Sequence, residues 1–518
     1  MSRRKNNRQP SRTEATPPPS KPPTPIAAWQ WFLLSAALPL VFLASKLNLD
    51  LWEDEIYTIT EFVAGGTYRI VTDYSAPNNH VFYSLLLRPF YLIGESSFVL
   101  RLPSLACAAG TLWLVFKLAR RLAGLPAAIA ATVTLGLNLM FLVHAIQVRG
   151  YSLSMLLAAW LADLALAEPQ ARTRARSIAV VLAGAAFLYV LPTNVLFFLP
   201  LALLAIVRAS RGAASNPQSA IRNPQSKMAI AWFAAVLLAA ACYAPIYRQV
   251  LEHGEPKDAF SWSGFWLPAS VFFTAAGRDV RMLIPLWLAG VCCWAWRVGR
   301  RPSANDVAVP LLCLVVVTGS FALSGLLRIS PFPRIDTPLL PIVALGAGWS
   351  LAELLEAARR RWLAWLPEAV SGVAGLLLVL AVLAPGVVTY PRRLTEACRH
   401  ERPQDGYFNY YAANYHPSAV VEALSDWTRN DTSYSIVYAK EDHWNLRYYL
   451  NRARLAPARP PRGSAAAVYV VAPRAAHWDE LAARLGLLER ELRGWPLLRE
   501  FGYYRVFRSP DYTARGQE

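Results

Sequence analysis

A chain of 518 residues in which 55% are hydrophobic and 17% are charged is too apolar for a soluble protein of this size, and it indicates many membrane spans. The formal net charge of +18 does not indicate nucleic-acid binding, because the basic residues fall mostly between apolar runs, where they act as topology signals. The composition predicts a polytopic membrane protein with no nucleic acid as a partner.

Residues 1–25 are basic and rich in proline, which predicts a disordered cytoplasmic tail. Residues 26–388 contain about eleven apolar runs, most of them long enough to cross a bilayer. Around Pro192-Thr193-Asn194 a helix-stopping dipeptide divides one apolar stretch, which forms either a tight hairpin or a single kinked span. The predicted runs are Ile26–Leu47, Phe98–Ala119, Ala127–Ile146, Tyr151–Ala167, Ile178–Leu191, Val195–Val207, Met228–Tyr247, Val280–Trp296, Val307–Leu327, Thr337–Leu355 and Ala369–Val388.

The loop charges predict which face each loop occupies. If the N-terminus is cytoplasmic, every predicted inside loop is rich in Lys and Arg, as short cytoplasmic loops usually are. The first long loop, residues 47–97, and everything after residue 388 then lie outside the cell. This pattern predicts a multi-pass protein of the bacterial inner or plasma membrane with a cytoplasmic N-terminus.

Residues 389–518 have a mixed polar and aromatic composition and are long enough for one small domain. Alternating apolar residues predict strands at Ser435–Ala439, Ala467–Ala472 and Tyr503–Phe507, and helical patterns lie at Ser418–Trp427 and Trp478–Leu488. The predicted fold class is therefore an all-α polytopic membrane protein with a small C-terminal α/β extracytoplasmic domain.

Four carboxylates follow directly after the first apolar run: Asp50, Glu53, Asp54 and Glu55. Charges at a lipid boundary are costly, and long loops in compact proteins are usually functional, so a role for this cluster is the first hypothesis. The alternative is that the acids only mark the outer end of a helix. Within the same loop, Ile56–Val63 and Phe82–Leu92 are amphipathic and are predicted to form helices parallel to the membrane surface.

Five parts of the sequence carry a family resemblance: the Asp54-Glu55 pair after the first span, Asn79–Leu86, Gly94–Ser104, Gln147–Leu153 and Pro333-Arg334-Ile335. They resemble the GT-C glycosyltransferases that use polyprenyl-phosphate sugars, a group that includes protein O-mannosyltransferases and aminoarabinose transferases (families 39 and 83). Val81 and Gln147 are departures from the proline and the glutamate that are usual in that family.

The resemblance implies a membrane glycosyltransferase that moves a sugar, with inversion, from a polyprenyl-phosphate donor to a glycan, lipid or protein acceptor on the extracytoplasmic face. It implies Asp54 as the general base, with a raised proton affinity expected from its neighbouring acids, and Glu55 as a residue that orients the base or a donor hydroxyl. Asp50 and Glu53 are interpreted as bystanders at a helix end.

Arginines at the outer ends of spans are candidates for binding the donor phosphate, because guanidinium groups match phosphate oxygens in pairs. Anchoring at the membrane interface is the alternative role for each of them. His80 is a candidate substrate contact or metal ligand, although a single His is more often a hydrogen-bonded structural residue. The arginine candidates are Arg101, Arg149 and Arg334, followed by Arg88 and Arg278.

Two other functions stay open at this stage. A transporter or flippase of lipid-linked sugars should have internal repeats or charges at mid-membrane, and the acid that lies well inside a span, Asp163, is near its cytoplasmic end. A non-catalytic envelope assembly protein would not need the acid cluster. The sequence assigns no cofactor, and it leaves open a divalent metal ion beside the acids.

Overall fold

The computed structural model describes residues 28–167, 174–214, 224–254, 283–300, 307–329, 333–362, 416–429, 433–439, 443–455, 467–473 and 478–509, with a few isolated positions between them. The helices of the first half are α1 Ala28–Ser45, α2 Glu53–Tyr57, α3 Gly66–Thr72, α4 Val81–Ile93, α5 Ser97–Gly136, α6 Leu139–Ala145, α7 Tyr151–Leu166, α8 Arg174–Val190 and α9 Val195–Ala214. A π-helical turn, Thr58–Val63, continues α2, and a 3₁₀ turn, Pro192–Asn194, precedes α9.

The remaining membrane-part helices are α10 Pro224–Tyr243, α11 Tyr247–Gly254, α12 Leu283–Arg300, α13 Ala308–Cys313, α14 Gly319–Leu326 and α15 Leu340–Trp362. A π turn, Leu314–Thr318, joins α13 to α14, and a 3₁₀ turn, Pro333–Leu339, leads into α15. Every predicted apolar run up to Thr337–Leu355 contains a described helix, whereas Ala369–Val388 lies almost entirely outside the described residues.

Helix α5 contains the predicted run Phe98–Ala119 and the first half of the run Ala127–Ile146, whose second half includes α6. Its backbone leaves the helical conformation at Ala123 and Gly124, where Gly124 has a φ of +83° that favours glycine. A Cβ placed on Gly136 would lie 3.5 Å from the Leu112 side chain. In a straight helix these two residues would be about 36 Å apart, so the chain reverses at Gly124 and the two halves pack against each other.

Five described helices are long and apolar enough to cross a membrane, or six if the pair Lys227–Tyr243 and Tyr247–His253, bent by 96°, is one span. That count takes α5 as one helix although its chain reverses at Gly124. The protein is therefore an integral membrane protein with several apolar helices, and the number of eleven spans stays a prediction.

Among the described helices, the most extensive contact is between α5 and α15. Gly348 on α15 faces Ala127 and Ala131 on α5, where an added Cβ would lie 2.6 Å from the Ala127 carbonyl oxygen. Small residues allow membrane helices to approach this closely, because van der Waals contact replaces the hydrophobic driving force. This contact fixes α15, and with it the turn that carries Arg334, against the first half of the bundle.

The C-terminal part is an α/β unit of α16 Pro417–Thr428, β1 Tyr434–Tyr438, α17 His443–Arg452, β2 Ala467–Pro473, α18 Trp478–Leu485, α19 Glu489–Arg493, β3 Leu497–Phe501 and β4 Tyr504–Arg508. The sheet order is β1-β2-β4-β3, with β1 parallel to β2 and the other pairs antiparallel. All three predicted strands are present. The fourth, β3, was missed because its residues are exposed on both faces and lack the alternation that predicts a strand.

The central strand β2 is buried on both faces, and successive side chains enter different cores. Tyr469 and Val471 join the large core that continues into the membrane helices, whereas Val470 and Ala472 join a second core beneath α18 and α19. Helices α16 and α17 therefore lie between the sheet and the helical bundle, in contact with the segment that carries the acid cluster.

Candidate active site

The acid segment, residues Leu49–Glu55, is held in place by a buried arginine from α5. Arg101 has no exposed surface and donates hydrogen bonds to main-chain oxygens of the segment and to a Glu55 carboxylate oxygen at 2.9 Å. Its main-chain acceptors in the segment are the carbonyls of Leu49 and of Asp50, the latter at 3.0 Å, and just before the segment it also donates to the carbonyls of Lys46 at 3.4 Å and Leu47 at 3.1 Å. Because each of these contacts fixes the backbone just before α2, Arg101 sets the path of the acid segment.

Glu55 is completely buried and closes the first turn of α2. Its Oε2 accepts from the Trp52 amide at 2.8 Å, and its Oε1 accepts from the Val148 amide at 2.7 Å. Burial raises the pKa of Glu55, while Arg101 and the two amide donors act in the opposite direction. Glu55 therefore links α2, the helix that carries Asp54, to the Gln147–Gly150 turn.

Asp54 lies at the centre of a cluster of donors. Its Oδ2 accepts from Arg149 and from Arg334, the latter at 2.9 Å, and its Oδ1 accepts from the Asn78 amide at 3.0 Å. Burial alone would raise the pKa of Asp54, but the two arginines and the Asn78 hydrogen bond outweigh burial and lower it. The expectation of a raised proton affinity is therefore wrong, because two guanidinium groups act on Asp54.

His80 is buried beside Asp54, and each of its ring nitrogens has a polar neighbour. Its Nδ1 accepts from the Gly150 amide at 2.7 Å, and its Nε2 lies 3.2 Å from an Arg149 nitrogen. Burial, together with the positive charges of Arg149 and Arg334, lowers the pKa of His80 well below its usual range, so the ring is neutral. The ring packs edge-on against Tyr151, with centroids 5.0 Å apart.

The bond from Gly150 decides which tautomer His80 adopts. Because Nδ1 is an acceptor, the single proton of the neutral ring lies on Nε2, so Nε2 faces Arg149 as a second donor. Two donors 3.2 Å apart cannot bond to each other. A ligand atom that accepts two hydrogen bonds, such as a phosphate oxygen, can bridge these two nitrogens.

The six predicted site residues, Asp54, Glu55, His80, Arg101, Arg149 and Arg334, lie in one connected network. Arg88 instead donates to the Val63 carbonyl at 2.7 Å, and Arg278 lies outside the described residues. Asn78 was not predicted to have a role, although it directly precedes the Asn-His pair that pointed to His80.

Gln147, the departure from the family glutamate, is turned away from Asp54. Its side-chain oxygen accepts from His144 at 3.1 Å, and its carbonyl accepts from Ser104 at 2.6 Å. Ser104 in turn contacts the Tyr83 hydroxyl at 2.5 Å, so a chain of buried hydrogen bonds supports the turn that carries Val148 and Arg149.

Among the described residues there is no group of three or more His, Cys, Asp or Glu side chains that could hold a metal ion. Two guanidinium groups already lie on the Asp54 carboxylate, and a divalent cation at the same oxygens would be repelled by them. The residues around Asp54 therefore do not fit a divalent-ion site.

No protein-family model matches the sequence, and no curated protein sequence matches it significantly. Among solved structures, ArnT from Cupriavidus metallidurans bound to undecaprenyl phosphate matches with a TM-score of 0.51 at 14% identity, over 93% of this chain and 98% of ArnT. ArnT in its apo state also gives a TM-score of 0.51, at 15% identity over the same shares of the two chains. This chain has the fold of ArnT.

Another match is the archaeal oligosaccharyltransferase AglB from Archaeoglobus fulgidus, in complex with an inhibitory peptide and a dolichol-phosphate. The two structures align with a TM-score of 0.45 at 13% identity, over 93% of this chain and 76% of AglB. That similarity is too distant to support an argument. The match to ArnT confirms the GT-C resemblance at the level of the fold.

Proposed function

We propose that this chain is a membrane glycosyltransferase that moves a sugar from a polyprenyl-phosphate donor to a hydroxyl or amine of a glycan, lipid or protein acceptor on the extracytoplasmic face. The observation that carries the proposal is the arrangement around Asp54. One carboxylate bonded to two arginines lies beside two further nitrogen donors, Nε2 of His80 and a terminal nitrogen of Arg149, which are 3.2 Å apart.

Asp54 is the proposed general base. Its lowered pKa keeps the carboxyl ionised at neutral pH, which is the form that can take a proton from the attacking hydroxyl or amine. In the reaction the acceptor oxygen or nitrogen bonds to the anomeric carbon, the bond from that carbon to the phosphate oxygen breaks, and the acceptor proton moves to Asp54. The polyprenyl phosphate leaves with both electrons of the broken bond.

Arg149 and Arg334 are the proposed phosphate ligands, and His80 adds a neutral donor. A phosphate that shares these arginines with Asp54 weakens their hold on the carboxylate, because their charge is then divided between two anions. Asp54 therefore becomes more basic when the donor is bound. Glu55 and Arg101, which are fully buried, act through the position of Asp54 and do not touch the donor.

The lipid-linked donor and the acceptor class come to this chain from its resemblance to the GT-C enzymes and from the undecaprenyl phosphate named with ArnT. The extracytoplasmic face comes from the loop charges, which place residues 47–97 outside. Nucleotide sugars are cytoplasmic, so a lipid-linked donor is consistent with that face.

The test is transfer of a radiolabelled sugar from polyprenyl phosphate into product by purified protein in proteoliposomes. Asp54→Asn keeps the shape of the side chain and removes the basic oxygen, and it is expected to lower kcat by roughly 10²-fold to 10⁴-fold. Glu61→Gln is the matched control, since Glu61 is an acid of the same loop that pairs with Arg69 at the surface. Full transfer by Asp54→Asn refutes the mechanism, and movement of labelled lipid across vesicles without consumption would indicate a flippase.

A further inference from the structure

Asp50 is not a bystander at a helix end, because its carboxylate binds the C-terminal domain. Its Oδ2 accepts from the Ser418 amide at 3.0 Å and from the Ser418 hydroxyl at 2.9 Å. Ser418 lies in the first turn of α16, where the amides have no partner within their own helix. A carboxylate is favoured there because it satisfies one of those amides and faces the positive end of the helix.

The next residue of the acid segment is also bound by the C-terminal domain. The buried Leu51 amide donates to the Tyr449 hydroxyl at 2.7 Å, and Tyr449 lies on α17, 398 residues further along the chain. Leu51, Leu446 and Leu450 belong to the same apolar core, so this hydrogen bond is made away from water. An amide that lost this partner would be buried and unsatisfied.

The acid segment is thus fixed from two directions. Arg101 binds the carbonyls of Leu47, Leu49 and Asp50 from the membrane helices, and the C-terminal domain binds the Asp50 carboxylate and the Leu51 amide. Asp54 follows within the next four residues, on the first turn of α2, and α17 packs against that helix. A shift of residues 50 and 51 therefore moves Asp54 relative to Arg149 and Arg334, which lie on other elements.

We propose that the C-terminal domain is part of the catalytic apparatus, with Asp50, Ser418 and Tyr449 as positioning residues that fix Asp54 in its reactive place. This inference rests on the function proposed above. It predicts that breaking these contacts slows the chemical step while donor binding is retained, because Arg149, Arg334 and His80 stay in place.

The test compares kcat and the donor KM of single variants in the sugar-transfer assay. Asp50→Ala and Tyr449→Phe are each expected to lower kcat about tenfold with the donor KM within about twofold of wild type, since small displacements of a catalytic group are costly. Asp50→Asn keeps an oxygen acceptor for both Ser418 donors, so it is expected to recover most of the kcat lost in Asp50→Ala.

Arg452→Met is the matched control for domain attachment. Arg452 is on the same helix as Tyr449 and donates to the Glu95 carbonyl at 2.8 Å, which is a contact between the same two parts of the molecule away from the acid segment. Its kcat is expected to stay within about twofold of wild type, as for most exposed contacts. Ser418→Ala removes the hydroxyl donor and keeps the amide, and it gives a milder test if Asp50→Ala does not purify as a folded, monodisperse protein.

The proposal is overturned if two single variants both retain wild-type kcat. These are Tyr449→Phe and folded Asp50→Ala, with Ser418→Ala in place of Asp50→Ala where the latter does not fold. An equal loss in Arg452→Met also overturns it, because the cause would then be weakened domain attachment in general. Asp54→Asn is measured in parallel: if that variant is inactive while the positioning variants are normal, only this inference fails, and if it is active, the proposed function fails.

Discussion

Replacing Arg149 with methionine removes the side chain that links the separate parts of the pocket. The guanidinium donates to Asp54, lies 3.4 Å from the Asn78 side-chain oxygen, and faces the His80 Nε2 at 3.2 Å. Methionine preserves much of the apolar stem that packs near Tyr151, whose ring centroid is 5.2 Å from the guanidinium carbon. The perturbation is therefore mainly one of charge and hydrogen bonding.

The size of the effect follows from the contacts that are lost. A hydrogen bond to a charged group contributes about 1.5 to 3 kcal/mol, and the same nitrogen atoms are the proposed ligands of the departing phosphate. Loss of about 2 to 3 kcal/mol of transition-state binding corresponds to a fall in kcat/KM of roughly 30-fold to 150-fold. We expect both kcat and the donor affinity to fall, because the arginine acts on the base and on the phosphate.

The pH dependence gives a second readout that a general loss of structure would not produce. In the wild type the arginines and Asn78 hold the pKa of Asp54 below its usual range. The base is therefore ionised at neutral pH, and activity is lost as the pH falls through the lowered pKa. In Arg149→Met the effect of burial is opposed by Arg334 and Asn78 only. The acidic limb of kcat/KM therefore moves to higher pH.

The measurement is a pH–rate profile of sugar transfer for wild type, Arg149→Met and a surface control, Arg69→Met. Arg69 carries the same charge in the same loop but pairs with Glu61 and Asp73 at the surface. The control is expected to retain the wild-type limb. An acidic limb in Arg149→Met that stays where it is in wild type, or moves to lower pH, would refute the assignment of Asp54 as a base controlled by Arg149.

Three further substitutions test the supports of the site and of the fold. Gly150→Ala adds a Cβ that would lie 2.8 Å from the Nδ1 of His80, so it should displace the ring and lower kcat/KM about tenfold; unchanged kinetics would contradict the role of that contact. Tyr83→Phe removes the buried hydrogen bond to Ser104 and should lower the free energy of unfolding in detergent by about 1 kcal/mol with normal donor KM. Gly348→Ala should destabilise the packing of α15 on α5 by about 1 to 3 kcal/mol, seen as a lower Tm, and a Tm equal to that of wild type would contradict the close approach.

Local signals predicted most of the elements of the fold. The apolar runs up to Thr337–Leu355, the break at Pro192-Thr193-Asn194 and the alternating strands near residues 435 and 467 all depend on residues close together in the chain. Each of these features has a helix, a turn or a strand at the predicted place. Helix α17 was not predicted, because its sequence His443–Arg452 is rich in polar and aromatic residues and has a weak apolar face. That missed helix carries Tyr449, which binds the acid segment.

The candidate residues of the site could be selected from the sequence because acids, arginines and histidines are costly at a membrane boundary. The separate role of each residue could not be predicted from the sequence. Arg101 and Arg149 both lie within stretches that resemble family motifs. Arg101 is fully buried and bonded to Glu55, whereas Arg149 is bonded to Asp54. Burial of a side chain depends on which helices pack above it, and no local pattern encodes that.

The sequence by itself determined that this is a membrane protein, which stretches form most of its apolar helices, and that an acidic stretch after the first span is its unusual feature. Only the tertiary structure decided which groups contact that stretch and how they shift the pKa of Asp54. Arg334 is 280 residues from Asp54 in the chain, and Tyr449 is 398 residues from Leu51. A pKa is set by charges within a few ångströms in space. The acidic neighbours of Asp54 in the sequence suggested a raised pKa, but folding brings two arginines to its carboxylate and lowers the pKa instead.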